Sequence, residues 1–429
     1  MVSRSPAASG LALPWVSCWR FSCHTLSLFP CLPRFFQRWQ RHADPHDIVA
    51  HFPVSLRTVQ RLFARFEQHG ADGIDPDYHH CGQQQPHRTA TPLVEHLCQT
   101  RREHPRWGAE MIRLELEDRY DTLPCARTVQ RHLRHAGLQP APVGRTPAAA
   151  SAHIRRADQP HQGWQTDAWE NLRLQNHQRV CWLRVVDACS GAFWKTLIFA
   201  TGRWERVDRH QIQDGLRQVF ATWGLPERLR VDNGYPWGST GEFPPEMALW
   251  LIGLGIAMRW IPPGCPQENG VVERSQGTGQ NWMEPQTCRD PAELQQRSDI
   301  LDRRQRERYP DRDGRSRWEV YPTRKHAPCR YQPRRERSAW DVTRVWAVLA
   351  QQVVKRQVDC TGSISLYHRT RYVGKPYIGT AVYVSLDATG PPWVIADEAG
   401  RELRTHAAEE LTAERICSWA VAGRKGKGP

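Results

Sequence analysis

The chain has 429 residues, and its 59 Lys and Arg against 45 Asp and Glu give a formal net charge of +14. This excess predicts a polyanionic partner, because Lys and Arg side chains release counterions when they neutralise phosphates. No apolar run approaches the ~20 residues that span a bilayer, and the 13 cysteines include no Cys-x-x-Cys pair. We therefore expect two to four domains, no membrane segment, no disulfide framework and a reducing, cytoplasmic location.

Residues 1–40 show no regular pattern, and we predict a disordered leader there. Within residues 41–75 the pattern predicts two short helices, Asp47–Phe52 and Leu56–His69, with Ser55 as the N-cap of the second. A tight turn between two short helices is typical of a helix-turn-helix, whose second helix enters the major groove of DNA. The side chains that we predict to contact DNA here are Arg57, Gln60, Arg61 and Arg65.

A second helical unit is predicted at residues 88–140, with His-Pro-Arg-Trp-Gly between its first two helices. Its three helices would span 92–103, 109–120 and 126–136. The pentapeptide Arg-Thr-Val-Gln-Arg occurs at 57–61 and again at 127–131, in the last helix of each unit. The repeat predicts a second DNA-reading helix, and the alternative is a helical hairpin that only packs on the next domain. The predicted DNA contacts of this helix are Arg127, Gln130 and Arg131.

Three carboxylates stand out after a stretch at 141–160 that has the composition of a linker. Asp167 lies in a predicted strand, Asp232 follows an apolar strand, and Glu273 lies just inside a helix that follows a Pro-rich loop. Such carboxylates can converge on Mg²⁺, which prefers oxygen ligands and keeps several waters. Two ions about 3.5–4 Å apart can activate the attacking oxygen and stabilise the leaving oxygen of a displacement at phosphorus.

The elements between these acids follow a definite order. Two further strands are predicted after the one that carries Asp167, then a helix at 207–223 and the strand before Asp232. A helix at 246–254 and a strand at 257–261 precede the helix with Glu273. Asp187, at the end of the second strand, is interpreted as a turn residue rather than a ligand.

The order Trp-Gln-Thr-Asp, Val-Asp-Asn-Gly and Pro-Gln-Glu-Asn-Gly-Val-Val-Glu-Arg resembles the integrase core of DDE transposases and retroviral integrases. The resemblance implies a ribonuclease-H-like α/β fold for residues 161–325, with Asp167, Asp232 and Glu273 as the catalytic triad. It also implies two Mg²⁺ or Mn²⁺ ions per site, with Asp167 bridging both. Glu268 competes as the third ligand, but Glu273 follows the Asn-Gly by three residues, as the family's Glu does. The two helical units resemble the tandem helix-turn-helix regions of bacterial insertion-sequence transposases, including the His-Pro-Arg-Trp-Gly stretch.

Residues 303–337 contain thirteen Arg or Lys against five Asp or Glu, interleaved with aromatic residues. This pattern is typical of a nucleic-acid track, although a solvated charged face is the usual explanation for such runs. The predicted DNA contacts here are Arg303, Arg304, Arg334 and Arg335. Residues 326–345 are predicted as a basic linker and 416–429 as a basic tail. Short alternating strands in 346–415 predict a small barrel, which resembles the SH3-like C-terminal domain of transposases of the phage Mu type.

The expected fold is therefore multidomain, with N-terminal all-α helix-turn-helix modules, a central α/β ribonuclease-H-like integrase core and a C-terminal small all-β SH3-like barrel. The expected protein is a bacterial DNA transposase or integrase that cuts one strand at each end of its mobile element and joins the freed 3′ hydroxyl to target DNA. Its partners would be double-stranded DNA and, as the resemblance implies, further copies of the chain, at the nucleoid in the cytoplasm. The alternatives are a catalytically inactive transposase remnant, a helix-turn-helix regulator, and a ribonuclease-H-like nuclease that prefers RNA–DNA hybrids.

Overall fold

The computed structural model describes residues 44–51, 55–69, 89–139, 157–201, 207–238, 242–311, 313–387, 389 and 392–418. The expected leader, most of the linker after residue 140 and the end of the basic tail lie outside these residues. The chain divides into two compact units, Met1–Arg88 and Thr89–Pro429. Within the described residues, no helix combines the length and the apolar character needed to cross a membrane.

The first unit contains two helices that pack together, α1 (Pro45–His51) and α2 (Leu56–His69). Ser55 caps α2, since its hydroxyl oxygen accepts a hydrogen bond from the Thr58 amide at 3.3 Å. Val59 is fully buried, so the predicted apolar face of α2 points inward. The predicted helix pair is therefore confirmed. Of the four side chains predicted to contact DNA, three are exposed and Arg65 is half-buried.

The second unit begins with three helices, α3 (Thr91–Glu103), α4 (Ala109–Leu116) and α5 (Ala126–His135). Helix α4 ends one turn earlier than predicted, where residues 117–119 form a turn. On α5, Val129 is fully buried while Arg127, Gln130 and Arg131 are exposed. The repeated pentapeptide therefore presents the same face in both units: its Val is buried, and its two Arg and its Gln face solvent.

Five strands form the central sheet: β1 (Gly163–Arg173), β2 (Arg179–Asp187), β3 (Phe193–Thr201), β4 (Arg228–Val231) and β5 (Ala257–Trp260). Their order is β3-β2-β1-β4-β5. The first three strands pair antiparallel through short connections, whereas β1, β4 and β5 pair in parallel. Parallel pairs need crossovers, which α6 (Arg209–Trp223) and α7 (Glu246–Gly253) provide. The element order predicted from the sequence is confirmed.

Both faces of this sheet are covered, as β2 shows. Its side chains alternate between two hydrophobic clusters, one shared with α6 and α7 and the other with α8 (Gly270–Met283) and α9 (Pro291–Glu307). The first set is Cys181, Leu183 and Val185, and the second is Val180, Trp182 and Val186. Successive side chains of a strand point to opposite faces, so a strand covered on both sides is apolar along its length.

The segment after α9 contains α10 (Arg317–Val320), α11 (Glu336–Ala339) and α12 (Val342–Leu349). Within 326–345, where we predicted a basic linker, residues 336–339 and 342–345 are helical, and Trp340 and Val345 are buried in the hydrophobic cluster of the core. The Trp340 indole donates a hydrogen bond to the Leu249 carbonyl of α7 at 3.3 Å. A Cβ on Gly253 would lie 2.0 Å from the Trp340 indole nitrogen, so this approach requires a glycine on α7.

Six strands and a helix complete the described chain: β6 (Val354–Gln357), β7 (Ser363–Leu366), β8 (Arg369–Tyr372), β9 (Ala381–Leu386), β10 (Trp393–Ala396), β11 (Glu402–His406) and α13 (Ala413–Ser418). The short strands were predicted, but the expected SH3-like barrel is not found among them. Strands β11-β10-β9-β6 form an open sheet, and β7-β8 form a separate hairpin. Their apolar side chains join the hydrophobic cluster of α6, α7 and α12, so they are buried without closing a barrel.

Two glycines of α8 offer a matched pair of substitutions. A Cβ at Gly279 would lie 2.2 Å from Nη2 of the buried Arg184, whereas nothing lies within 4 Å of a Cβ at Gly277. We expect Gly279→Ala to lower the free energy of unfolding by about 1–3 kcal/mol through overpacking. We expect Gly277→Ala to raise it by about 0.5–1 kcal/mol, because alanine favours a helix interior over glycine. Urea unfolding followed by tryptophan fluorescence measures both changes, and effects of the same sign would contradict the packing of Arg184 under α8.

Candidate active site

Asp167 and Asp232 lie at the same end of the central sheet. The parallel register of β1 with β4 pairs Gln165 with Arg230. Asp167 lies two residues beyond the first of these and Asp232 two residues beyond the second. Because paired parallel strands advance together, this register places the two carboxylates side by side where β4 ends.

The turn after β4 fixes the Asp232 carboxylate. The Asn233 side-chain amide donates a hydrogen bond to the Ile261 carbonyl at 2.7 Å, which fastens the turn to the segment that follows β5. A Cβ on Gly234 would lie 2.7 Å from Oδ2 of Asp232. The Gly234 amide also donates to this carboxylate. In the sequence Asp-Asn-Gly, the Asn thus anchors the turn, and the Gly leaves room for the Asp232 carboxylate.

Glu273 lies in the first turn of α8, and Gln165 of β1 holds the start of that helix. The Gln165 side-chain oxygen accepts from the Val272 amide at 3.1 Å, and its nitrogen donates to the Glu268 carbonyl at 3.1 Å. Arg230 of β4 donates to the same carbonyl at 2.9 Å. Side chains of the two strands that lead to the acids thus determine where the helix with the third acid begins.

Gln276, one helical turn after Glu273, connects α8 directly to Asp167. Its side-chain nitrogen donates to the Asp167 carbonyl at 3.1 Å and lies 3.5 Å from the carboxylate Oδ2. Its oxygen accepts from the Trp182 indole at 2.5 Å. An indole N–H can only donate, so this contact fixes which end of the amide faces Asp167.

The charges at this site influence one another. Burial raises the pKa of Asp167 to about 6; the Gln276 hydrogen bond opposes the rise, and the Asp232 and Glu273 carboxylates add to it. Burial also raises the pKa of Asp232, the Gly234 amide opposes that rise, and the Glu170 carboxylate adds to it. Asp232 and Glu273 are therefore near enough to destabilise an ionised Asp167, because neighbouring carboxylates of like charge repel one another.

The donor set fits a hard divalent cation. Asp167, Asp232 and Glu273 offer carboxylate oxygens, which Mg²⁺ prefers, and Mg²⁺ usually takes only one or two protein carboxylates besides water and phosphate. In the described part of the chain, no three His, Cys, Asp or Glu side chains are gathered closely enough to hold a metal ion. Asp167 and Asp232 lie beside each other on the sheet, and Glu273 lies on an adjacent helix.

The other acids considered from the sequence have different partners. Asp187 is fully buried and accepts hydrogen bonds from the His161, Cys189 and Ser190 amides, so its interpretation as a turn residue is confirmed. Glu268 lies 4.0 Å from the Arg230 guanidinium.

The basic residues predicted to contact DNA fall into two groups. Arg303, Arg334 and Arg335 are exposed. The same holds for three predicted contacts on each of two helices: Arg57, Gln60 and Arg61 of α2, and Arg127, Gln130 and Arg131 of α5. Arg304 instead forms an ion pair with Glu115 of α4 at 2.7 Å, and its side chain is only 13% exposed.

Sequence reasoning missed Gln165, Gln276 and Glu170. A signal existed for two of them. Gln165 lies two residues before Asp167 on the same face of β1, and Gln276 lies three residues after Glu273 on the same face of α8. Glu170 follows Asp167 by three residues in the strand, where β1 departs from regular pairing with β2 between Trp169 and Leu172.

Two family models match the chain: a homeodomain-like domain over residues 58–133 and an integrase core domain over residues 157–266. The first spans most of α2 and reaches into α5. The second contains Asp167 and Asp232 and ends seven residues before Glu273.

Several solved structures are similar. The simian T-cell lymphotropic virus intasome, in complex with PP2A regulatory subunit B56 gamma, is 15% identical, with 72% of this chain and 98% of that chain covered and a TM-score of 0.32. The HTLV-2 integrase catalytic core domain in complex with magnesium is 20% identical, with coverages of 39% and 99% and a TM-score of 0.29. The catalytic core domain of BIV integrase is 17% identical, with coverages of 38% and 94% and a TM-score of 0.28.

At such low TM-scores these structures transfer no residue role to this chain. The family assignment rests on the two family models, the strand order of the central sheet and the acids at its edge. On these grounds the chain contains a homeodomain-like domain and an integrase core domain, a combination that supports the DDE transposase and integrase family.

Proposed function

We propose that this chain is a DNA transposase or integrase that cleaves and joins DNA strands by metal-dependent phosphoryl transfer at the ends of a mobile element. One observation carries the proposal. Asp167 lies within β1 beside Asp232, which follows the end of the parallel strand β4, and Glu273 lies on a helix that Gln165 and Gln276 bond to β1. Hard oxygen donors at a sheet edge suit a reaction in which substrate phosphates complete the coordination of a cation.

Asp167, Asp232 and Glu273 would hold two Mg²⁺ or Mn²⁺ ions. The chemistry that the bound ions supply is activation of the attacking oxygen and stabilisation of the leaving oxygen. In the first step water attacks a phosphodiester at the element end, and the 3′ oxygen leaves as a free hydroxyl. In the second step that hydroxyl attacks a phosphodiester of target DNA, and one target strand leaves. Neither step needs a covalent bond to the protein.

The exposed faces of α2 and α5 would read the element ends. Both present the Arg, Gln and Arg of the repeated pentapeptide to solvent over a buried Val. Arg303, Arg334 and Arg335 would contact the phosphate backbone, because they are exposed in the stretch with the greatest local positive charge. Arg304 is not part of this proposal, since its guanidinium is paired with Glu115. We also propose that the chain acts on double-stranded DNA as a homo-oligomer, in the cytoplasm at the nucleoid.

The central test compares two acids of one segment. Purified protein, Mg²⁺, a supercoiled target plasmid and short duplexes copied from the DNA that flanks the reading frame should give joined product. Glu273→Gln should reduce joining by at least about 10³-fold, because a metal ligand is lost, while binding of the duplexes persists. Glu268→Gln, five residues earlier, should retain joining within about threefold, because its side chain faces Arg230 at 4.0 Å.

Robust joining by Glu273→Gln would overturn the triad. Binding of the flanking duplexes without any cut or join by the parent protein would favour the inactive remnant or the regulator. Preferential cutting of RNA–DNA hybrids would favour the ribonuclease-H-like nuclease.

The raised pKa of Asp167 gives a second prediction, on stability. Between its ordinary value of 3.8 and the raised value of about 6, the folded protein retains a proton that the unfolded chain releases. The contribution of Asp167 to stability is therefore present at low pH and is lost as the pH rises towards about 6. Asp167→Asn should remove this loss, so the variant should gain thermal stability relative to the parent at pH 7.5 but not at pH 4.

Mg²⁺ should restore stability to the parent at pH 7.5, because a bound cation offsets the repulsion among the carboxylates. The same addition should raise the unfolding temperature of Asp167→Asn much less. The measurement is a thermal melt of both proteins at pH 4 and 7.5, with and without Mg²⁺. An equal rise in both proteins at pH 7.5 would show that Mg²⁺ acts away from Asp167.

A further inference from the structure

The loop between α3 and α4, His104-Pro105-Arg106-Trp107-Gly108, is attached to the far end of the catalytic helix α8. Trp107 is 4% exposed, and its indole donates a hydrogen bond to the Trp282 carbonyl at 2.8 Å. The His104 ring stacks on Trp107 with 3.8 Å between ring centroids. His104 Nδ1 also lies 2.8 Å from a Glu284 carboxylate oxygen, so the loop bonds to both residues that flank Met283.

An apolar layer continues this attachment. A single hydrophobic cluster contains side chains of α3, α4 and α5 together with side chains of β2, α8 and α9. The cluster includes Leu97, Met111 and Trp107 from the helical segment and Trp182, Trp282 and Leu301 from the core. The helices α3–α5 and the core therefore share one hydrophobic cluster.

Ion pairs also connect α9 to α4 and to the turn that follows α4. Arg304 of α9 pairs with Glu115 of α4 at 2.7 Å, and Arg308 pairs with Asp118 at 3.2 Å. These arginines belong to the basic stretch that the sequence indicated as a DNA track. In the structure they join the helices α3–α5 to the core. A hydrogen-bonded indole, a stacked imidazole and two ion pairs together leave little freedom for one part to move without the other.

This attachment has a geometric consequence for the acids. Helix α8 carries Glu273 in its first turn and Trp282 near its end, about 13 Å along the axis at 1.5 Å per residue. The exposed face of α5 is anchored to the same assembly through the buried Val129 and Leu133. The α5 face and the acids thus have a fixed separation that does not depend on the predicted linker at 141–160.

We propose that the helices α3–α5 act as a fixed ruler, in which Trp107 is the positioning residue that sets the distance from the α5 face to the Asp167 site. The DNA strand is then cut at a constant number of base pairs from the sequence that α5 reads. The inference rests on the strand cleavage proposed above. It assigns to the His-Pro-Arg-Trp-Gly loop a role in positioning the catalytic core, whereas the resemblance had placed it in a DNA-reading region.

The experiment maps the cut on an end-labelled duplex copied from the DNA that flanks the reading frame. The parent protein should cut at one dominant phosphate. Six Gly and Ser residues inserted after Ala149, in the linker, should leave that position and the rate unchanged. Trp107→Ala should still bind the duplex, but cutting at the dominant phosphate should fall by about tenfold or more with new cuts at neighbouring phosphates, because small misplacements of reacting groups slow a reaction strongly.

Two further variants test whether the effect of Trp107→Ala comes only from unfolding of the helices α3–α5. Trp107→Phe keeps an aromatic ring in the contact and should restore most cutting at the dominant phosphate. The double variant His104→Ala with Arg304→Met removes two polar attachments, leaves the apolar interior of α3–α5 intact, and should also spread the cuts.

The outcomes separate the ruler from the proposed function. The ruler proposal would be overturned if the linker insertion shifted the position of the cut. It would also be overturned if Trp107→Ala and the double variant both made a single cut at the parental rate. Strand cleavage would stand in either case. If the parent cut no DNA at all, the proposed function and the ruler would both fall.

Discussion

A positive charge buried between the sheet and two helices constrains the whole integrase core domain. The Arg184 guanidinium of β2 is fully buried, with the Trp182 and Phe193 rings 5.1 and 4.6 Å away. Burial lowers its pKa to about 10 and the Asp302 carboxylate opposes this, so the group stays charged at neutral pH. A buried charge without partners would be strongly destabilising. The sheet and helices must therefore meet where the partners of this group are available.

Those partners come from β3, α8 and α9. The guanidinium donates to Thr196 of β3 at 3.1 Å, to the Ser275 carbonyl of α8 and to the Met283 sulfur at the end of that helix. Asp302 of α9 accepts from the Thr196 amide at 2.7 Å, which completes the network. Because α8 is bonded near its middle and at its end, its first turn is held over the edge of the sheet. The position of Glu273 is thus set by the packing of Arg184 beneath α8, away from the three acids themselves.

The C-terminal region extends this core rather than standing apart from it. Glu336 of α11 is buried and pairs with Arg217 of α6 at 2.6 Å. Glu246 of α7 pairs with Arg415 of α13 at 3.1 Å, and the Tyr367 hydroxyl donates to the Pro244 carbonyl at 2.9 Å. Several of the many arginines of this chain are therefore structural, and positive charge in the sequence does not by itself identify a surface that binds phosphate.

The sequence by itself determined the order of the elements in the central sheet and predicted three acids beside it. The apolar run of β2, the apolar strand before Asp232 and the cap at Ser55 are local features, so their consequences could be read from the residues alone. Only the tertiary structure decided which side chains hold the acids in place, because Gln165 and Gln276 bond to residues 107 and 109 positions away. It also decided that Arg304 pairs with Glu115, that Trp107 anchors α3–α5 to α8, and that the C-terminal strands pack on the core without closing a barrel. The physical reason is that local pattern sets which face of an element is apolar, whereas the partner of that face depends on long-range packing that no single segment specifies.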